Sequence, residues 1–215
     1  MENRRTVDDL YITTQTIILT LEVKDLSIEV FQSTEGRNKN IYIREKELQK
    51  FKNKTSFYIN IGEKELYGDI SKNTLCFRGC KSKDQAIKAG RMICNYVNDC
   101  KIDFPDICKD CINIIKCDEI MTNAMIVLNE NIGLKRIYNH FKDVDNCEPE
   151  YLPTHQSNLR VRYPLGKFKD VEKYLTITIT RKGKITFSGR TYASIIKYFD
   201  EFCEKLYEIL PYALV

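Results

Sequence analysis

Residues 71–86 read SKNTLCFRGCKSKDQA, and residues 181–196 read RKGKITFSGRTYASII. Each is a polar turn, a short alternating run of strand-forming residues, a glycine, and the opening of a helical stretch. Gly79 and Gly189 stand 110 positions apart. A second pair of landmarks repeats at nearly the same spacing. Leu21, Val23 and Leu26 form an L-x-V-x-x-L pattern, and Ile132, Leu134 and Ile137 form I-x-L-x-x-I 111 positions later. Two independent matches that agree within one position identify an internal duplication, and a duplication decides the architecture before any single element does.

Working outward, each copy has the same order. An alternating or apolar strand (Tyr11 to Leu19; Ile120 to Leu128) leads into a short helix (about 24–33; about 132–142), then several strands and a long helix. In the second long helix Ile195, Phe199, Phe202, Leu206 and Ile209 recur at steps of four and three, one face of an α-helix. In the first, Ala86, Gly90, Ile93, Val97 and Cys100 do the same. The strands say which way they face. In residues 173–189, KYLTITITRKGKITFSG, the aliphatic set Leu175, Ile177, Ile179, Ile185 and Phe187 alternates with Thr176, Thr178, Thr180, Thr186 and Ser188. Side chains alternate across a strand, so one set is expected against the helices and the hydroxyl set on an open face. That face is either a solvated sheet surface or a flat binding surface. The expected fold class is α+β, with a first repeat over 1–105 and a second over 106–215.

The bulk numbers bound the function. With 215 residues, 43% hydrophobic and 30% charged, the chain is an ordinary globular protein, and its net charge of +4 permits a polyanionic partner without demanding one. The opening MENRRTVDD lacks the apolar core of a signal peptide, and no stretch approaches a membrane span, so no membrane is expected. Nine cysteines, an odd count, fit free thiols in a reducing, intracellular compartment.

The duplicated order, SKNTLCFRGCK (71–81) and KGKITFSGR (182–190) before the long helices, LEVKDL (21–26), and CEPEYLP (147–153) together resemble the TATA-box-binding protein (TBP) family. The resemblance covers about residues 10–210. It implies a saddle: one curved antiparallel sheet with helices on the convex face, whose underside grips and bends double-stranded, A·T-rich promoter DNA from the minor groove. Apolar wedges would unstack base steps there, and easily kinked steps make the bend cheaper. Residue by residue, the resemblance puts Leu152 and Thr180 at the two wedge positions of the second repeat. In the first repeat Phe51 fits if two residues are inserted, and Ile70 follows. Cys76 and Arg78, and in the second repeat Thr186 and Ser188, stand at the underside of the last strands. Ile12, Thr14 and Thr178 belong to the same surface. Arg160 aligns with a phosphate-contacting arginine, and Asn60 with its first-repeat counterpart. The family's paired base-reading Asn residues fall near Leu10 and near Glu119 to Met121 and are absent, so strict TATA readout is not implied.

Glu148, Pro149, Glu150 and Tyr151 correspond to the family's docking segment for transcription factor IIB, which implies a IIB-like partner and the RNA polymerase machinery. The first long helix, RMICNYVNDCK, has fewer basic residues than the family's. Arg160, Arg162, Lys167, Lys169 and Lys173 lie in extra sequence after Leu152, as a solvated loop or as added phosphate contacts. The Lys-, Asn- and Ile-rich usage suggests an AT-rich genome, of a large cytoplasmic DNA virus or a divergent parasitic eukaryote. The location implied is then a nucleus, or a viral factory or virion.

Other chemistries have weaker support. Cys108, Cys111 and Cys117 contain one short Cys pair where zinc sites want two, so free cysteines and no metal are expected. No glycine-rich phosphate loop occurs, nothing orients His140 or His155 toward a cysteine, and neither a cofactor nor catalysis is expected. The alternative function is a TBP-fold protein-interaction scaffold inside a transcription complex, with little DNA binding of its own. A positive open face with apolar tips would favour DNA, and a neutral or acidic one would favour protein.

Overall fold

The computed structural model describes residues 9–23, 39–42, 55–100, 112–152 and 157–215. Five strands precede the first described helix: β1 (Tyr11–Leu21), β2 (Ile41–Tyr42), β3 (Thr55–Ile61), β4 (Lys64–Ser71) and β5 (Thr74–Cys80), followed by α1 (Lys83–Cys100). The order then recurs as β6 (Ile114–Val127), α2 (Leu134–Phe141), β7 (Glu148–Glu150), β8 (Asn158–Phe168), β9 (Val171–Thr180), β10 (Lys184–Gly189) and α3 (Tyr192–Ala213). The ten strands form one antiparallel sheet in the order β2-β3-β4-β5-β1-β6-β10-β9-β8-β7. Counted from β1 and from β6, both halves read first strand, last strand, then backwards to the second. The duplication in the sequence is thus a duplication of strand order, and the class is α+β.

Two compact units divide the described chain: residues 14–120, and residues 121–215 with the chain up to Thr13. In the later unit, α2 and α3 cover one face of β6 and β8 to β10. Leu175, Ile177, Ile179, Ile185 and Phe187 are all fully buried against Ile195, Phe199, Phe202 and Leu206. The helical stripe ends on buried Leu210, with Ile209 only half-buried. A capping box fixes where α3 begins: Ser194 N–H donates to Thr191 Oγ1 (3.2 Å), and Thr191 N–H donates to Ser194 Oγ (3.1 Å).

In the earlier unit, α1 lays Ala86, Ala89, Ile93 and Val97 on Ile17, Leu19, Phe57, Leu75 and Phe77. A Cβ on Gly90 would stand 2.3 Å from Leu19 Cδ1, so the missing side chain is what lets α1 approach β1. Ser82 opens this helix, its hydroxyl accepting from Gln85 N–H at 3.2 Å. The short helix expected at about 24–33 lies outside the described residues. Among the described residues no helix is long and apolar enough to cross a membrane.

Candidate nucleic-acid interface

The strand register turns the alternation into rows across the helix-free face. In the later unit one row runs Glu150, Arg160, Thr178, Thr186, Met125, and the next runs Glu148, Arg162, Thr176, Ser188, Asn123. Between them lies a row turned to the helices: Pro149, Val161, Ile177, Phe187, Ala124. The open face is therefore carpeted by small hydroxyls, with guanidinium groups toward one edge. Arg162 pairs with Glu150 (3.1 Å), and Arg160 is exposed with no ion pair among the described residues. Thr180 continues this face opposite Asn158.

Edge strand β7 is the EPE segment itself. Glu148 is exposed, Glu150 is tied to Arg162, and the Tyr151 ring packs on Tyr138 of α2 with centroids 6.0 Å apart. Leu152, just beyond, is 50% exposed. On β6, Met121 and Val127 are also exposed, at 44% and 37%, and share the parity of Asn123 and Met125. Asn123 supplies an amide on this face two residues past the stretch where the resemblance expects one. The motif comparison missed it because it stands out of register.

The earlier unit presents a different surface. Its main row runs Tyr42, Tyr58, Tyr67, Arg78, Thr16, and beside it Ser56, Asp69, Cys76, Ile18. Tyr42 and Tyr58 stack with centroids 5.6 Å apart, Tyr58 and Tyr67 lie at 5.2 Å, and the Arg78 guanidinium sits 5.2 Å from the Tyr67 ring centre. A polar chain braces the row: Tyr67 O–H donates to Ser56 Oγ (2.9 Å), Ser56 O–H donates to Asp69 Oδ1 (2.8 Å), and Arg78 forms an ion pair with the other Asp69 oxygen. Burial works against the Arg78 charge, but Asp69 outweighs it and raises the guanidinium pKa above its ordinary value. Sequence reasoning missed this row because its members come from five strands. The signal available was parity: Tyr58 in TSFYINI and Tyr67 in KELYGDIS stand out of phase with the buried apolar residues Phe57, Ile59, Leu66 and Ile70.

The expected contact residues separate accordingly. Ile12 and Thr14, half-buried, share the parity of Thr16 on β1; Cys76 and Arg78 lie on the open face of the earlier unit. Thr178, Thr180, Thr186, Ser188 and Arg160 share that of the later one. Ile70 is fully buried in the row Thr55, Ile70, Leu75, Leu19 that faces α1, so its side chain offers no surface for a wedge. Phe51 lies outside the described residues. Asn60 is half-buried opposite Glu65.

Among the described residues no group of three or more His, Cys, Asp or Glu could hold a metal; Cys108 and Cys111 lie outside them. Burial pushes the thiols of Cys80, Cys94 and Cys147 up to about 11 and Cys203 to about 12, so none of these four is a thiolate nucleophile at neutral pH.

No protein-family model matches the chain, and no curated protein matches it by sequence. Among solved structures it is similar to Methanococcus jannaschii TBP, with a TM-score of 0.58 over 93% of this chain and 98% of that one, at 14% identity. The fold is TBP-like. At that identity the likeness extends to the chain path and leaves individual contact residues to be argued from their own positions.

Proposed function

We propose that the protein is a TBP-like transcription initiation factor. It binds A·T-rich promoter duplex from the minor groove through its open sheet face, bends it, and presents β7 to a IIB-like factor and thereby to RNA polymerase. The observation that carries this reading is the hydroxyl carpet of the later unit, with Arg160, exposed and in no ion pair among the described residues, at its edge and Leu152, Met121 and Val127 as exposed apolar tips. Small β-branched and hydroxyl side chains leave the face flat. Arginine suits the negative potential of a narrow A·T groove, and apolar tips can wedge base steps. With no amide at the family's reading positions, groove shape and deformability carry most of the selectivity here. The two repeats are read as residues 1–105 and 106–215, the first contributing Ile12, Thr14, Cys76 and Arg78.

Substituting Leu152→Ala tests the wedge. A duplex labelled at both ends should show a reduced bend by energy transfer, while the association rate, set by phosphate attraction, stays within about twofold. An unchanged bend removes Leu152 from the mechanism.

A second reading has its own support. In the earlier unit the cation of Arg78 is neutralised by Asp69, and three tyrosines occupy the same face. Tyr and Arg are the residues enriched at protein–protein hot spots, so this half also suits a protein-binding scaffold.

A further inference from the structure

The β8–β9 hairpin outgrows its sheet. Its partner β7 pairs only as far as Arg162, and β10 pairs with β9 only between Thr176 and Ile179. The hairpin nevertheless continues through Tyr163↔Leu175, Pro164↔Tyr174, Gly166↔Lys173, Lys167↔Glu172 and Phe168↔Val171. At about 3.3 Å per residue this is an arm of roughly 17 Å. It is firmly rooted. Tyr163 is fully buried with its ring 5.1 Å from that of Tyr198, and Tyr198 O–H donates to the Pro164 carbonyl at 2.9 Å. At the tip Lys169 and Asp170 both have positive φ (49° and 61°), the turn whose twist matches its flanking strands.

The end of the arm leaves two apolar side chains largely open to solvent. Phe168 and Val171, paired across the strands beside the turn, are 47% and 57% exposed. Around them stand Lys167, Lys169, Lys173 and Arg190, whose guanidinium lies 4.8 Å from the Phe168 ring centre. Against these four cations are Asp170 and Glu172, and Glu172 already accepts the Tyr174 hydroxyl at 2.5 Å. By register Lys173 lies on the face of Phe168 and Val171, where Arg190 also reaches, while Lys167 stands opposite Glu172 on the other face and Lys169 sits in the turn. Cations on both faces of a narrow hairpin suit phosphates on either side of a groove, whereas a membrane plane would meet only one face.

We propose that this hairpin is a second DNA contact, an arm that grips duplex flanking the segment held by the sheet. Lys167, Lys169, Lys173 and Arg190 take phosphates, and Phe168 and Val171 lie against the sugars of the groove. The inference rests on the DNA-binding reading above and names a site that reading does not use.

The test compares a duplex of core length with one extended by about one helical turn (~10.5 bp) on each side, across a salt series. The wild-type protein should bind the longer duplex more tightly and with a steeper salt dependence. The variant Lys167→Gln/Lys169→Gln/Lys173→Gln, changed only at exposed positions, should lose that gain. Its slope of log K against log salt on the long duplex should flatten by about 2.7, at about 0.9 per phosphate contact. Phe168→Ala should lower affinity for the long duplex without changing the slope. If wild type and triple variant show the same length gain and slope, the arm is not a DNA contact, while the sheet-face reading stands. A triple variant that instead loses binding to phosphatidylserine vesicles, with DNA slopes unchanged, overturns the proposal in favour of a membrane arm. Failure of the wild type to bind either duplex, with or without a IIB-like partner, overturns both readings.

Discussion

Replacing Gly183 with alanine is expected to destabilise the later unit by at least about 3 kcal/mol, enough to unfold many domains of ordinary stability. Gly183 closes the turn between β9 and β10 at φ +75°, a conformation that costs an L-residue about 1–2 kcal/mol by itself. The surroundings add more. A Cβ there would lie 2.3 Å from the Leu128 carbonyl oxygen and 2.6 Å from that of Glu130, both backbone atoms that cannot swing aside. The same turn is stitched to the chain leaving β6: Leu128 N–H donates to the Gly183 carbonyl (2.9 Å), and Ile132 N–H donates to that of Arg181 (2.8 Å). Moving the turn breaks both. Gly62 is the control, with φ +62° but no heavy atom within 4 Å of a built Cβ. Gly62→Ala should cost only about 1 kcal/mol. Urea midpoints of the two variants, measured side by side, separate clash from backbone preference; equal losses would show that the Leu128 contact does not constrain the turn.

The other large effect is an asymmetry within one ion pair. Asp69 is buried (its side chain 2% exposed), and Arg78 is 43% exposed. Removing the partner of a buried charge is costly, whereas a partly exposed one can hydrate. Arg78→Gln should therefore cost about 2–3 kcal/mol, tempered by the hydrogen bond that Asp69 keeps from Ser56. Asp69→Asn should cost about 1 kcal/mol or less. The binding effects should run the other way. Freeing the Arg78 charge on the open face should tighten DNA binding and steepen the salt dependence by up to about 0.9, one more phosphate contact. If Asp69→Asn leaves DNA affinity untouched while Thr178 and Arg160 variants weaken it, the earlier unit faces a protein and not the duplex.

The quoted repeat was legible, and its meaning only partly so. Gly79 and Gly189 resemble one signal used twice. Gly79 has φ +81° and open space where its Cβ would be, and it sits at the register shift opposite Gln15 and Thr16, where the irregularity turns Cys80 into the core. Gly189 has no such backbone; a Cβ there would stand 2.8 Å from Ser194 Oγ, the group that accepts from the Thr191 N–H in the capping box of α3. Alternation over 173–189 gave both faces of β9 and β10 correctly because parity is a local property. Ile70 misled because the motif fixes a sequence position, while parity within β4, where Leu66 and Ile70 are buried, decides the face. The tyrosine row and the arm were hidden for a different reason. Register between strands assembles the tyrosine row, and the arm is indistinguishable in sequence from a charged loop.

The most direct test of the central claim is bending of an end-labelled duplex, measured by energy transfer at low salt on a TATA site, an A·T-rich scramble and a G·C-rich control. The expected result is binding with a bend on both A·T-rich duplexes, a much smaller response on the G·C-rich one, and steep weakening as salt rises. Absence of binding and bending on all three, persisting when a IIB-like partner is added, would contradict it and leave the fold as a protein scaffold.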